Sequence, residues 1–309
     1  MSSLFRENHF DKDKLIALRK TFSNAGIMKL ISSGLNVDEI INLSDEQLKD
    51  FKFRDINKYS HELDLFDENL IFAGEVIDWC DDENIKIISY FDDSYPESLK
   101  NIEAPPAIIF CYGDDSLLQK SNNVAIVGTR DNSALGEQIT KKASAFFAKH
   151  GINIVSGLAK GIDEIAHRSA LMENGLTTAV LVDIKNISPT SNVELAKEIC
   201  NKGGLILSEN IPGIPKGEKY LYLERNRLQA ALSPMVFIIE SDEKSGTATT
   251  AKEALKQGKK IYVPDLSQID SNKLGSFKDG LHKKLIKTNS VTLFSSKDYP
   301  DIIELLTHV

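Results

Sequence analysis

The chain has 309 residues, of which 41% are hydrophobic and 27% charged, a composition typical of a globular protein with room for two or three domains. No apolar run approaches the roughly 20 residues that cross a bilayer, and the amino terminus lacks the apolar core of a secretory signal. Cys80, Cys111 and Cys200 are too few and too widely spaced for a disulfide framework or a zinc site. We therefore expect a cytoplasmic protein with no membrane partner and no cofactor.

The formal net charge of −8 argues against a nucleic-acid ligand until its distribution is considered. Residues 1–82 hold 10 basic and 17 acidic residues, whereas the rest of the chain holds 27 basic and 28 acidic residues. The acidity therefore belongs to the amino-terminal segment, and the larger part leaves room for a local basic edge.

The segment from about residue 10 to residue 80 is predicted to be helical. Apolar residues repeat on one face at helical spacing, namely Leu15, Leu18, Phe22 and Leu30. Ser44, with Gln47 three residues later, is typical of a capping box that opens a helix. We predict an acidic helical domain over residues 1–82, either a relative of SAM or helix-hairpin-helix domains or a docking domain.

From Ile85 onward, short apolar runs alternate with helical stretches. Two strand-like runs at 85–90 and 107–113 are followed by Val124–Gly128, Ile152–Gly157, Thr177–Val182, Gly204–Ser208, Met235–Glu240 and Lys260–Pro264. Continuous apolar runs separated by helices indicate a parallel sheet covered on both faces. We predict an α/β fold in which an extended Rossmann-like sheet of about six parallel strands follows the small helical domain. This sheet domain spans 83–270, and residues 271–309 extend it with a helix near 301–306.

Two neighbouring strands end in small residues beside a cation. The candidate phosphate-binding residues at these ends are Gly128, Thr129, Arg130, Ser156, Gly157, Lys160 and Gly161. Glycine permits tight turns and removes a side chain that would keep a ligand from the backbone, while Arg and Lys supply charge for phosphate. Because Asp163 and Glu164 would repel a phosphate at the following helix, we expect Lys160 and the glycine backbone to meet the ligand.

Two further polar segments follow apolar runs or begin helices. Their candidate DNA-binding or phosphate-binding residues are Arg225, Asn226, Arg227, Ser245, Gly246 and Thr247. Adjacent arginines on a helix point in different directions, so one is expected to reach the ligand while the other pairs with a glutamate. Ser245 and Thr247 either hold a second anion or only cap their helix.

Four other residues have a structural interpretation beside a functional one. His167 lies one turn into a helix, where a lone histidine is more often a packing or hydrogen-bonding residue than a general base. Tyr220 and Tyr222 suit base stacking, and Phe237 in an apolar strand suits the core. No metal-ligand cluster, catalytic triad or dinucleotide-binding glycine fingerprint is present in the sequence.

Taken in order, the segments VAIVGTRDNSALG, INIVSGLAKGIDEIAHRSAL, ERNRLQAALS, SGTATTA and ALKQGKKIYVP resemble the DNA-processing protein A (DprA/Smf) family, and the resemblance runs from about residue 85 to residue 264. It implies a non-enzymatic, single-stranded DNA-binding protein that forms a homodimer and acts in DNA recombination, with RecA as a partner in natural transformation. It places the family's DNA-contacting cations at Arg130, Lys160 and the Arg225–Arg227 segment.

The chain departs from the family pattern at Leu223 and Glu224, where a Phe-Pro is usual, and at Asp265, where a glycine is usual. These departures favour a divergent member, for example one that serves phage defence or a mobile element, with a defence-system partner in place of RecA. A nucleotide-signal-sensing domain of the same superfamily is the alternative, since the neutral charge and the small residues at Ser245–Thr247 suit a small ligand. The phosphoribohydrolases of that superfamily need a glutamate that residues 248–250 lack.

Overall fold

The computed structural model describes residues 11–213, 219–267, 269–270 and 274–307. The chain forms two compact units, Met1–Phe110 with Glu209–Pro212 and Cys111–Ser208 with Gly213–Val309. These are called the first and the second unit below. The predicted domain boundaries at residues 82 and 270 stay predictions. The mixed α/β fold class with a helical amino-terminal part is confirmed.

The described part of the first unit opens with six helices and continues into two strands around a short helix. The elements are α1 (Lys12–Thr21), α2 (Asn24–Ser32), α3 (Val37–Ile41), α4 (Asp45–Asp50), α5 (Ile56–Asp64), α6 (Phe66–Asp82), β1 (Lys86–Ser89), α7 (Glu97–Lys100) and β2 (Ile108–Gly113), the last of which ends in the second unit. The predicted helical face is confirmed, because Leu15, Leu18, Phe22 and Leu30 are all buried. The predicted capping box is also confirmed, since the Ser44 and Gln47 side chains each accept the other's backbone N–H.

The described part of the second unit alternates strands with helices. The strands are β3 (Asn123–Val127), β4 (Asn153–Ser156), β5 (Thr177–Leu181), β6 (Leu205–Ser208), β7 (Met235–Ile238), β8 (Lys260–Pro264) and β9 (Thr292–Phe294). The helices are α8 (Ala134–Lys149), α9 (Ile162–Met172), α10 (Val193–Asn201), α11 (Lys219–Ala231), α12 (Gly246–Lys256), α13 (Gly280–Lys287) and α14 (Tyr299–Thr307), with short 3-10 turns at Asp115–Gln119 and Thr190–Asn192.

These seven strands pair in the order β6-β5-β4-β3-β7-β8-β9, and all six pairings are parallel. The six strands predicted from apolar runs are β3 to β8. The chain order reverses on either side of β3, which places the carboxyl ends of β3, β4 and β7 side by side. In open α/β sheets, ligands bind outside the strand ends at such a reversal.

Helices cover both faces of this sheet, as its burial pattern requires. Val124 and Ile126 of β3 lie in a core cluster with Phe147 of α8. Ala125 and Val127 alternate to the opposite face and are buried as well. A strand that is buried on both faces reads as a continuous apolar run, which is why the sequence signalled it clearly.

The described part of the segment after β8 adds two helices and a seventh strand. The helix predicted near residues 301–306 is confirmed as α14, whereas β9 extends the sheet beyond the six predicted strands. Residues 271–273 of this segment lie outside the described residues. Among the helices described, none has both the length and the apolar character that a membrane crossing needs.

Candidate nucleic-acid interface

The loop after β3 carries Arg130 to the surface. The Thr129 amide donates to the Glu240 carbonyl at 2.8 Å, which fixes the loop against the end of β7. Gly128 has no room for a side chain, because a Cβ there would lie 2.6 Å from Cγ1 of Ile162. Gly128 therefore allows helix α9 to pack closely, while the exposed Arg130 is the group of this loop that can meet a ligand.

The loop after β4 carries Lys160, and its first residues lie beneath the surface. Ser156 is fully buried, and its hydroxyl donates to the Ile126 carbonyl at 2.6 Å. A Cβ on Gly157 would lie 2.0 Å from Nη1 of Arg225. Ser156 and Gly157 thus have structural roles, whereas Lys160 is exposed and has no ion-pair partner among the described residues.

Leu158 gives this loop an uncommon backbone conformation. Its φ of 64° lies in the left-handed region, which non-glycine residues rarely adopt, although the side chain is fully buried. The buried Asn192 amide donates to the Leu158 carbonyl at 3.0 Å and holds the turn. A strained loop that is fixed by its surroundings is a common feature of binding sites.

The two loops meet at Gly161, whose φ is 79°. A Cβ there would lie 2.5 Å from the Thr129 carbonyl oxygen, so only glycine permits this approach. The Ile162 amide donates to the same carbonyl at 3.2 Å. As a result, Arg130 and Lys160 line one cavity of about 140 Å³. The two predicted cations are therefore neighbours.

Helix α11 contributes Arg225 and Asn226 but turns Arg227 away. Arg225 is 5% exposed, and its Nη1 donates to the Val180 carbonyl at 2.6 Å. Asn226 donates to the Gly246 carbonyl at 3.1 Å. Arg227 donates to the Glu224 carbonyl at 3.0 Å and is not among the residues that line either cavity described here. The two arginines therefore point in different directions, and the roles expected for them stay predictions.

Arg225 and Asp163 form a buried pair of opposite charges. Burial lowers the pKa of the Arg225 guanidinium, and the nearby Asp163 opposes that shift. Burial likewise raises the pKa of the Asp163 carboxyl, against the charge of Arg225 and, to a smaller extent, hydrogen bonds from the Ala159 backbone and the Ser156 side chain. Because burial is the larger cause in both groups, this pair lies in a weakly hydrated site where electrostatic forces are strong.

The start of α12 forms another wall of the site. Ser245 caps the helix by accepting the Ala248 amide at 3.2 Å, as one of the two sequence interpretations expected. A Cβ on Gly246 would meet nothing within 4 Å, so the space beside this glycine is open. Thr247 is buried and follows on the same turn.

These walls enclose a larger cavity of about 600 Å³. Its lining residues are Val127, Gly128, Thr129, Arg130, Ala159, Asp163, Lys219, Tyr222, Leu223, Arg225, Asn226, Gln229, Ser245, Gly246, Thr247 and Thr250. Tyr222 and Arg130 line both cavities, and the Arg130 Cζ lies 5.7 Å from the centre of the Tyr222 ring. The site thus combines a cation pair with an aromatic ring, the two parts of a single-strand binding surface.

Sequence reasoning missed three of the lining residues, namely Lys219, Gln229 and Thr250. Residues 219, 222, 225, 226 and 229 follow i, i+3, i+6, i+7 and i+10 spacing, which is one face of a helix. The spacing places these residues on one face only if the helix begins at Lys219, as it does in the structure.

His167 and Phe237 have the structural roles that the sequence favoured, and Tyr220 lies away from the site. His167 is fully buried, with Nδ1 2.6 Å from the Thr177 hydroxyl, and Phe237 is fully buried in the core. Burial lowers the pKa of His167 to about 3, which leaves it neutral. Tyr220 is 55% exposed, outside both cavities, so Tyr222 is the tyrosine at the site. The described residues include no group of side chains suited to a metal ion.

Comparison with known proteins identifies the family. The sequence model of DNA recombination-mediator protein A matches residues 86–304. The chain belongs to this family. The family relationship predicted from the motifs is therefore confirmed, and the match spans both loops and the helix that build the candidate interface.

Three relatives of this family illustrate the range of similarity. DNA processing protein DprA of Bacillus subtilis is 34% identical over 218 residues, which are 70% of this chain and 71% of that protein. The X-ray structure of DNA processing protein A from Streptococcus pneumoniae matches with a TM-score of 0.76 and 27% identity, covering 94% of this chain and 96% of that one. A structure of the Helicobacter pylori protein, described for its single-stranded DNA binding mode, matches with a TM-score of 0.61 and 30% identity, covering 72% of this chain and 96% of that one.

Proposed function

We propose that this chain binds single-stranded DNA along the edge formed by Arg130 and Lys160. The observation that carries the proposal is that both exposed cations line one cavity, although they come from loops 30 residues apart. Phosphates in a sequence-tolerant complex are held by such cations, and bases stack on exposed aromatic rings. Tyr222, which borders both cavities, is the ring on which we expect a base to stack.

The comparisons support this proposal through the Helicobacter pylori relative, which binds single-stranded DNA and shares the fold over most of its length. The charge distribution is compatible with it, because the strongly acidic part of the sequence ends near residue 82. A non-catalytic role in DNA processing fits both observations. Homodimer formation, RecA or another recombinase as partner and a role in phage defence stay predictions from the resemblance, and cytoplasmic location stays a prediction from the composition.

A titration with fluorescein-labelled oligo-dT tests the proposal by fluorescence anisotropy at several salt concentrations. Arg130→Ala and Lys160→Ala should each weaken binding by about tenfold, because each removes a phosphate contact of about 1.4 kcal/mol. Each substitution should also reduce the slope of log affinity against log salt by about 0.7.

Lys142→Ala is the matched control, since Lys142 is an exposed lysine on helix α8 that lines neither cavity. Its affinity and salt slope should equal those of the unaltered chain, apart from a small general charge effect. If the Arg130→Ala/Lys160→Ala double variant binds oligo-dT as tightly as Lys142→Ala does, the DNA path lies elsewhere.

The cavity of about 600 Å³ favours a second candidate, the binding of a mononucleotide. Its volume falls in the range of small-ligand pockets, and cations, hydroxyls and an aromatic ring converge on it. A nucleotide sensor would use this cavity alone, whereas a DNA-binding protein would also need Lys160 in the smaller one. This difference separates the two candidates in the experiment described in the next subsection.

A further inference from the structure

Two threonines at the start of helix α12 have hydroxyl groups without a partner. Thr247 is 8% exposed and Thr250 is 2% exposed, and both line the cavity of about 600 Å³. Within the described part of the chain, neither hydroxyl forms a hydrogen bond. Thr250 does not donate to the Gly246 carbonyl one turn earlier, which accepts the Asn226 amide at 3.1 Å. Because both threonines line the cavity, a ligand bound there can accept hydrogen bonds from their hydroxyls.

The backbone adds two donors at the same place. The amides of Gly246 and Thr247 begin helix α12 and have no acceptor among the described residues, as expected for the first turn of a helix. The Ser245 hydroxyl is already used by the Ala248 amide and by Ser241 at 2.7 Å. The space beside Gly246 is open. A ligand can therefore reach both amides without displacing a side chain.

Arg225 approaches the cavity from helix α11. Its Nη1 is committed to the Val180 carbonyl, whereas its Nε is buried without a partner in the described part of the chain. Since Arg225 also lines the cavity, it supplies charge next to the threonine hydroxyls and the helix amides. These four residues, Arg225, Gly246, Thr247 and Thr250, are called the α12 cradle below.

The charge at the cavity exceeds what one phosphodiester would balance. Three cations line it, Arg130, Lys219 and Arg225, against one carboxylate, Asp163, among the described residues. A phosphodiester within a strand carries a single negative charge and two free oxygens. A phosphomonoester carries close to two charges at neutral pH, which matches the charge of the cavity, and its third free oxygen adds lone pairs for the four unpaired donors.

We propose that the α12 cradle binds a phosphomonoester, carried either by the end of a DNA strand or by a mononucleotide. The strand-end form rests on the proposed function, since the strand would run from Lys160 and Arg130 in the smaller cavity to its end in the larger one. The mononucleotide form does not depend on it. Thr247 and Thr250 donate to the phosphate oxygens together with the amides of Gly246 and Thr247.

Competition against an internally labelled oligo-dT tests the strand-end form. The competitors are one unlabelled oligo-dT with hydroxyls at both ends, the same oligo with a 5′-phosphate, and the same oligo with a 3′-phosphate. One phosphorylated form should compete about tenfold better than the hydroxyl form, the gain expected of added charge-assisted hydrogen bonds. In Thr247→Val/Thr250→Val this advantage should vanish: the phosphorylated and hydroxyl forms should compete equally, whatever the affinity of the variant for the hydroxyl form.

Thermal unfolding with dTMP and with thymidine tests the mononucleotide form. A cradle that holds a free monoester should raise the melting temperature with dTMP only, and the increase should disappear in the valine double variant. Thr249→Val is the control for both arms, because Thr249 lies on the same helix turn and lines neither cavity. It should keep the full preference for the phosphorylated ligand.

The outcomes separate this inference from the proposed function. If either arm shows a preference for the phosphorylated ligand and the double valine variant loses it, the cradle is supported. The arm that shows the preference identifies whether the phosphate belongs to a strand end or to a mononucleotide. Equal competition by the three oligonucleotides, with no stabilisation by dTMP, overturns the cradle even if Arg130 and Lys160 still govern DNA binding. If no oligonucleotide binds at all, the proposed function fails, and the dTMP arm alone decides the cradle.

Discussion

Gly157 shows how a single atom decides whether Arg225 can occupy its buried site. A Cβ at this position would lie 2.0 Å from Arg225 Nη1 and 2.5 Å from Nε2 of Gln229. The sequence suggested that the glycines of this loop bring a ligand close to the backbone. At Gly128, Gly157 and Gly161 the adjacent space is instead filled by protein atoms, and the open glycine is Gly246.

Gly157→Ala should therefore lower the free energy of unfolding by about 1–3 kcal/mol, the usual cost of overpacking. It should also weaken oligo-dT binding, because Arg225 must move. Urea unfolding and anisotropy measure the two effects. Gly74→Ala in helix α6 is the control, since a Cβ there meets nothing within 4 Å and alanine favours a helix interior by about 0.5–1 kcal/mol. Equal stability of the two variants would contradict the steric role.

His167 makes stability depend on pH. Burial lowers its pKa to about 3 from an ordinary value of 6.5. Below pH 6.5 the imidazole is therefore protonated in the unfolded chain but stays neutral in the folded chain. Its contribution is fully present above pH 6.5 and is lost as the pH falls from 6.5 towards 3. Between pH 7 and pH 5 the unfolding free energy should fall by about 2 kcal/mol from this residue. His167→Leu should flatten that part of a urea-unfolding pH profile.

His282 provides an internal comparison, because burial also lowers its pKa, to about 4. His282→Leu should reduce the pH dependence of the unfolding free energy over the same range to a similar extent, and the double variant should reduce it further. If the pH profile is unchanged in both single variants, burial does not lower the pKa of either imidazole in the folded chain.

At the scale of elements, Glu240 joins three segments that hold the interface. It follows β7 and is fully buried, and its carboxylate accepts the Ser133 amide and hydroxyl, both at 2.9 Å, at the start of α8. It also accepts the Lys278 amide at 3.1 Å from the segment before α13. Gly136 makes room for this carboxylate, since a Cβ there would lie 2.0 Å from Oε2. The Lys278 ammonium pairs with Asp131 at 2.8 Å, beside Arg130.

Glu240→Gln should destabilise the chain by about 1–3 kcal/mol, because the amide nitrogen would face donors that need an acceptor. Oligo-dT affinity should fall as well, since the loop that carries Arg130 loses its anchor. Urea unfolding and anisotropy are the measurements. Glu137→Gln is the control on α8: its partner is the exposed Lys141, and the pair contributes at most about 0.5 kcal/mol. Unchanged stability and affinity in Glu240→Gln would exclude this anchoring role.

Elements were predictable from the sequence where one physical signal dominates. The parallel strands β3 to β8 are apolar on both faces, so each of them appears in the sequence as a continuous apolar run. The strand β9 has three residues with Thr292 and Leu293 exposed, so it lacks the apolar run that marks a buried strand. The same limit applies to α11, whose first residues, 219–224, are exposed or half-buried and therefore lack a buried apolar face that would mark the start of a helix.

At the scale of the whole molecule, the sequence located the two candidate cations but not their supporting contacts. Arg130 and Lys160 were found because each follows an apolar run, and the parallel topology then brings their loops together. The burial of Ser156, the partners of Glu240 and the unpaired hydroxyl of Thr250 depend on contacts between residues up to 107 positions apart, which no local pattern encodes. The geometry of a site is in this sense a property of the complete fold.

The short segment Glu209–Pro212 has a consequence for dividing this protein into parts. It belongs to the first unit, where Asn24 bonds both the Glu209 carboxylate and the Ala107 amide. The polypeptide thus leaves β6, returns to the amino-terminal unit for four residues, and only then continues towards α11. Deleting the acidic helices would remove a hydrogen-bond partner from the stretch that leads towards helix α11, which lines the candidate interface. Separately expressed halves are therefore not independent pieces, and the intact polypeptide is the appropriate material for every binding measurement.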